Sequence, residues 1–113
     1  AEILEVVGAV AGRVDVIVDD MIDTASTLAA ARTELLKRGA NKDVYAMATH
    51  AIFSGPAVER LNKAKFKEIV VTDSLPVKKS AIRGLTVLPI APMLAQVIGH
   101  IDRGESVTAI YSR

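Results

Sequence analysis

Short runs of β-branched and aliphatic residues alternate along this chain with stretches whose apolar positions recur every three or four residues. Val14, Val16, Ile17 and Val18 predict a buried strand over residues 14–18, after a shorter apolar stretch at 3–7. Leu28, Ala31, Leu35 and Leu36 then mark a helix over 25–38, which Gly39 should stop with a left-handed turn. Residues 44–49 read as a second strand. Ser54-Gly55-Pro56 opens a second helix with Val58, Leu61 and Ala64 on one face. Residues 66–72 and 85–88 read as third and fourth strands. Pro92 begins a last helix, with Met93, Leu94, Val97, Ile98 and Ile101 expected inward and Gly104 closing it. A terminal strand over 107–111 is expected to complete the set.

Repeated strand–helix units joined by short connections imply an α/β domain. The expected architecture is three-layered: a mainly parallel sheet with helices on both faces. Ligands in such sheets bind beyond the carboxyl ends of the strands. The loops at 19–27, 49–55 and 72–83 all follow strands, so they should share one edge. The stretch 73–83, with Pro76, Lys78, Lys79 and Arg83, reads as the most flexible of them. No internal repeat, low-complexity tract or linker interrupts the pattern, so residues 1–113 are read as one domain.

Composition narrows the function classes. Half the residues are hydrophobic and only 4% aromatic, with a mean hydropathy of +0.33. The core must therefore be aliphatic. Fourteen basic residues against 13 acidic leave a net charge of +1, so no field draws the chain to nucleic acid or anionic lipid. The absence of cysteine removes disulfides and thiolate metal sites. No apolar run approaches the roughly 18 residues of a membrane span, and the first residues lack the basic start of a signal peptide. A cytoplasmic globular protein is expected.

The chemistry concentrates in residues 16–27, Val-Ile-Val-Asp-Asp-Met-Ile-Asp-Thr-Ala-Ser-Thr. Asp19 and Asp20 are pure acceptors, suited to sugar hydroxyls or a hydrated Mg²⁺. Side chains alternate along a strand, so the two acids converge only if the strand ends between them, and the Met21-Ile22-Asp23 stretch is expected to end it there. Thr24, Ser26 and Thr27 lead into a helix whose first N–H groups lack intrahelical partners and, with the helix dipole, can cradle an anion. The loop is not a phosphate-binding G-x-x-x-x-G-K-[ST] motif. Ordinary chemistry explains the same residues: aspartates cap turns, and hydroxyls cap helix starts.

Val-Asp-Asp-Met-Ile-Asp-Thr-Ala-x-Thr resembles the ribose-5-phosphate loop of type I phosphoribosyltransferase folds, most closely that of the ribose-phosphate pyrophosphokinases. The likeness continues through residues 48–57, Ala-Thr-His-Ala-Ile-Phe-Ser-Gly-Pro-Ala, and 70–76, Val-Val-Thr-Asp-Ser-Leu-Pro, to Gly104-Glu105-Ser106-Val107. This resemblance implies an enzyme that moves the terminal diphosphate of ATP onto ribose 5-phosphate, giving phosphoribosyl pyrophosphate, with Mg²⁺. It implies that Asp19 and Asp20 bind the ribose hydroxyls. Asp23, Thr24, Ala25, Ser26 and Thr27 would surround the 5-phosphate, largely through backbone amides. Ser106 and Thr108 would contribute to an allosteric phosphate or nucleotide site. It also implies that the chain corresponds to most of a C-terminal domain. The ATP-binding half, the mobile catalytic loop and a metal-binding histidine would lie elsewhere, leaving no catalytic residue here.

Ser26 stands where the family usually has glycine, Ala9 where it has aspartate and Ala51 where it often has glycine. A side chain at position 26 is strained if the backbone there needs positive φ. Three readings remain open: an inactive sugar-phosphate-binding portion, a non-catalytic associated module, or an engineered or reconstructed structural fragment. A homo-oligomer is expected, to cover apolar surface. His50 is expected to be a hydrogen-bonded structural residue, and His100 to lie at the surface or an interface. Lys78, Lys79 and Arg83 read as solvated loop charges.

Overall fold

The computed structural model describes residues 6–112. Four strands, β1 (Val16–Ile22), β2 (Tyr45–Ala51), β3 (Glu68–Thr72) and β4 (Leu85–Leu88), form one sheet in chain order, with every neighbouring pair parallel. Helix α1 (Ser26–Lys37) joins β1 to β2, and α2 (Ala57–Ala64) joins β2 to β3. Consecutive parallel strands linked by right-handed crossovers carry their helices on the same face, and α1 and α2 indeed touch one another. Helix α3 (Ala91–Asp102) follows β4.

The core lies between the sheet and these two helices. Ala46 and Ala48 of β2 keep the sheet surface low, so Leu28 of α1 and Ala57 and Leu61 of α2 can sit against it beside Val44, Phe66, Ile69, Val71 and Ile82. Gly39, at φ +83°, ends α1 in the left-handed region, and its amide bonds the carbonyl of Leu36. The parallel α/β class is as the pattern predicted.

Several expectations are corrected. Strand β1 starts later than residue 14 and runs on through Ile22. Val16 and Val18 are exposed, as is Met47 beside them, so the sheet face opposite α1 and α2 is open among the described residues. Helix α3 does not turn its apolar residues inward: Met93, Leu94, Ile98 and Ile101 are exposed, and the helix has no buried residue. It packs mainly against the short 3₁₀ turn at Val107–Ile110, which replaces the expected terminal strand. The radius of gyration reflects this projection, 16.6 Å against about 13 Å for a compact chain of this length. The apolar stretch at 3–7 falls mostly outside the described residues.

Candidate functional site

All four strands point the same way, so the connections leaving β1, β2 and β3 emerge at one edge, as expected. Hydrogen bonds tie them together. The amides of Ile52 and Phe53 donate to the Ile22 carbonyl, and that of Ser54 donates to the Asp23 carbonyl at 3.0 Å. The Ser54 hydroxyl donates to the Asp23 carboxylate. On the next strand, the Thr72 and Ser74 hydroxyls donate to the Thr49 carbonyl at 2.6 and 3.3 Å. His50 Nδ1 lies 2.8 Å from Ser74 Oγ, the structural role expected of it. The stretch at 73–83 is anchored: Ile82 is buried, the Asn62 amide donates to the Ala81 carbonyl, and the Arg83 amide donates back to Asn62.

At this edge a cavity of about 190 Å³ is lined by Asp19 and by the whole run from Met21 to Leu28, with Met47 opposite. Backbone strain marks the middle of the run. Ala25, the residue before α1, has φ +65° and ψ +11° and is almost wholly buried. A non-glycine residue rarely holds this conformation. A left-handed residue followed by a helical one turns successive N–H groups toward a common point, the geometry of an anion-binding nest.

The capping explanation is not realised. No side chain caps α1. The Thr24 and Ser26 hydroxyls engage each other at 3.3 Å. Among the described residues, no backbone or side-chain acceptor takes the amides of Thr24, Ala25, Ser26, Thr27 or Leu28; the first α1-terminal bond runs from Ala29 to the Ala25 carbonyl. Five residues whose amides have no protein acceptor thus line one cavity, at the positive end of a helix dipole. The positive φ falls at Ala25, one residue earlier than the Ser26 position considered in the sequence, and Ser26 enters the helix normally.

The acid pair is placed differently from expectation. Because β1 pairs with β2 through Ile22, the strand does not end between Asp19 and Asp20. Adjacent side chains on a continuous strand point to opposite sides. Asp19 lines the cavity, and Asp20 is not among its lining residues. The two remain coupled, since the Asp20 amide donates to Asp19 Oδ1 at 2.8 Å. No three metal-ligating side chains converge among the described residues, so a protein cage for Mg²⁺ is absent there. The carboxylate oxygens suit instead a hydrated Mg²⁺ shared with a ligand's own oxygens.

At the other end of the chain, Ser106 and Thr108 are exposed. The Ser106 carbonyl lies 2.9 Å from His100 Nδ1, and the Thr108 carbonyl accepts from Ser112 and Tyr111. Arg103 binds the Glu105 carboxylate at 2.6 Å, and that hydrogen bond is the main reason Glu105 titrates below the usual carboxylate range. Lys78, Lys79 and Arg83 are exposed, as expected.

One contributor was missed in the sequence. Arg60 of α2 donates through Nη1 to the Thr24 carbonyl at 3.2 Å. It has no motif around it; its one visible signal is helical spacing between the packed residues Ala57 and Ala64.

Comparison with known proteins agrees with this geometry. The family model for the phosphoribosyl synthetase-associated domain matches residues 2–112. The chain is 46% identical over 112 residues to a ribose-phosphate pyrophosphokinase of Aquifex aeolicus (strain VF5), covering 99% of this chain and 36% of that protein. It is 40% identical over 113 residues to the ribose-phosphate pyrophosphokinase of Bacillus subtilis (strain 168), covering 99% and 35%. The crystal structure of phosphoribosylpyrophosphate synthetase from Mycobacterium smegmatis superposes with a TM-score of 0.80 at 42% identity, over 87% of this chain and 33% of that one. The chain spans about a third of the length of the curated relatives it matches. A nest of free amides beside an acidic strand end thus sits in a chain homologous to ribose-phosphate pyrophosphokinases, and the chain belongs to the phosphoribosyl synthetase-associated domain family.

Proposed function

We propose that this chain is the ribose-5-phosphate-binding portion of a ribose-phosphate pyrophosphokinase. The observation that carries the reading is that residues 24–28, whose amides have no protein acceptor, line the same cavity as Asp19. A phosphomonoester takes three or more hydrogen bonds from such a nest. Asp19, on the cavity wall, accepts from the ribose hydroxyls, while Asp20, on the other side of the strand, steadies it by donating its amide to Asp19 Oδ1. Asp23 and the hydroxyls of Thr24, Ser26 and Thr27 complete the surround.

Diphosphate transfer from ATP needs cations that neutralise the charge developing on the moving group. The residues lining this cavity include two carboxylates and no basic side chain. The chain therefore binds the acceptor sugar and does not by itself transfer diphosphate; ATP engages groups outside this cavity. Mg²⁺, when bound, offsets the phosphate and carboxylate charge at the sugar.

Calorimetric titration of the 113-residue chain with ribose 5-phosphate, with and without Mg²⁺, tests the reading. Ribose 5-phosphate should bind more tightly than either ribose or inorganic phosphate, because two subsites act together. Asp19→Ala should reduce ribose 5-phosphate to the affinity of phosphate alone. No heat at millimolar ribose 5-phosphate, or an unchanged affinity in the Asp19→Ala, Asp20→Ala double variant, would refute it.

A further inference from the structure

We infer that Arg60 is a positioning residue that locks the peptide between Thr24 and Ala25 so that its N–H, and not its carbonyl, faces the anion. The inference rests on the phosphate-binding reading above and goes further, because it assigns the loop's active conformation to a side chain of another helix.

A trans peptide is planar, so the carbonyl of Thr24 and the N–H of Ala25 point in opposite directions. Arg60 holds that carbonyl at 3.2 Å in a part-buried contact. Arg60 itself lies outside the cavity, in a separate groove between α1 and α2 with Ser26, Ala29, Arg32, Thr33, Lys63 and Ala64. Drawing the carbonyl toward α2 therefore turns the Ala25 N–H away from α2 and toward the cavity that Ala25 lines.

A restraint is needed at this peptide because the conformation is strained. Ala25 carries a Cβ at φ +65°. Flipping the single peptide before it moves φ of Ala25 to negative values and removes that strain. The same flip aims a carbonyl oxygen at the phosphate position, which repels an anion. The charge-assisted bond from Arg60 opposes the flip. The loop is thus two-state, and Arg60 biases it toward the state that accepts an oxyanion.

The test combines Arg60→Met with Ala25→Gly in the full chain, using ribose 5-phosphate and inorganic phosphate as probes. Arg60→Met should weaken both by about tenfold or more, the worth of a hydrogen bond to a charged group, while the ¹⁵N resonance and hydrogen exchange of the Ala25 amide shift without ligand. Adding Ala25→Gly removes the strain that drives the flip and should restore most of the lost affinity. Arg60→Gln, which keeps a neutral donor, should give a smaller loss and serves if the methionine variant does not fold. Wild-type affinity in the Arg60 variants overturns the inference. So does a loss that glycine at position 25 fails to recover, which would mean that Arg60 acts through its charge alone. If the wild-type chain binds neither probe, the sugar-phosphate reading falls, while the Ala25 amide signals still decide whether Arg60 holds the peptide.

Discussion

Replacing Lys65 with glycine is expected to stabilise the chain, whereas the same replacement at Ala25 should leave stability nearly unchanged. Both residues hold left-handed backbone, with φ +57° at Lys65 and +65° at Ala25. A Cβ there costs about 1–2 kcal/mol, and glycine's greater freedom in the unfolded chain takes back about 0.5–1 kcal/mol. Lys65 is exposed and ends α2, so little else changes and a net gain of about 0.5–1 kcal/mol remains. For a chain of this length that corresponds to about 2–4 °C in Tm. Ala25 is only 5% exposed. Its glycine variant also loses a buried methyl worth about 0.8 kcal/mol, which cancels the gain. Thermal and urea unfolding of Lys65→Gly, Lys65→Ala and Ala25→Gly measure all three, with alanine at 65 keeping the strain and so the wild-type stability. Glycine at 65 no more stable than alanine there would refute the strain argument. Glycine at 25 gaining as much as glycine at 65 would refute the burial argument.

Leu61→Ala, at a side chain 2% exposed between α2 and the sheet, should cost about 2–5 kcal/mol by denaturant unfolding; a cost below 1 would place the core elsewhere. Glu105 titrates below its ordinary range because of Arg103. Its contribution is therefore full at neutral pH and lost only as pH falls through the lowered folded-state value, and NMR should show its carboxyl midpoint below the ordinary glutamate value and rising when Arg103 is replaced by methionine. The open sheet face at Val16, Val18 and Met47 and the bare apolar side of α3 should drive self-association, visible as mass rising with concentration in light scattering. Val18→Lys with Met47→Lys should reduce it, and a wild-type monomer at high concentration would contradict the argument.

The elements themselves were legible because each has a distinct period: Leu28 and Leu35 are spaced for a helix, and Ile69 and Val71 for a strand. Burial was less so. Val16, Val18 and Ile98 are apolar in either environment, and a side chain is buried only where another layer meets it. The end of β1 was misplaced because aspartates are usually poor strand residues; here the ladder to β2, pairing Asp19 with Ala48 and Met21 with His50, overrides that preference. The 3₁₀ turn at Val107–Ile110 forms where a strand was expected, in a segment whose preceding carbonyl, at Ser106, is engaged by His100. At the site, the sequence indicated the loop and its free amides. The left-handed backbone at Ala25 was hidden, since alanine gives no sign of it. Arg60 was hidden too, because its partner lies 36 residues away.

Strand β1 has a sheet neighbour on one side only among the described residues, which leaves its outer rim able to recruit a foreign strand. Charged residues are a common guard on such rims, so the aspartates at 19 and 20 guard solubility there, whatever part the proposed sugar site takes from them. Deleting both to abolish binding also disarms that guard. The aggregation of such a variant would then be a consequence of its unprotected rim, and single asparagine replacements are the gentler instrument.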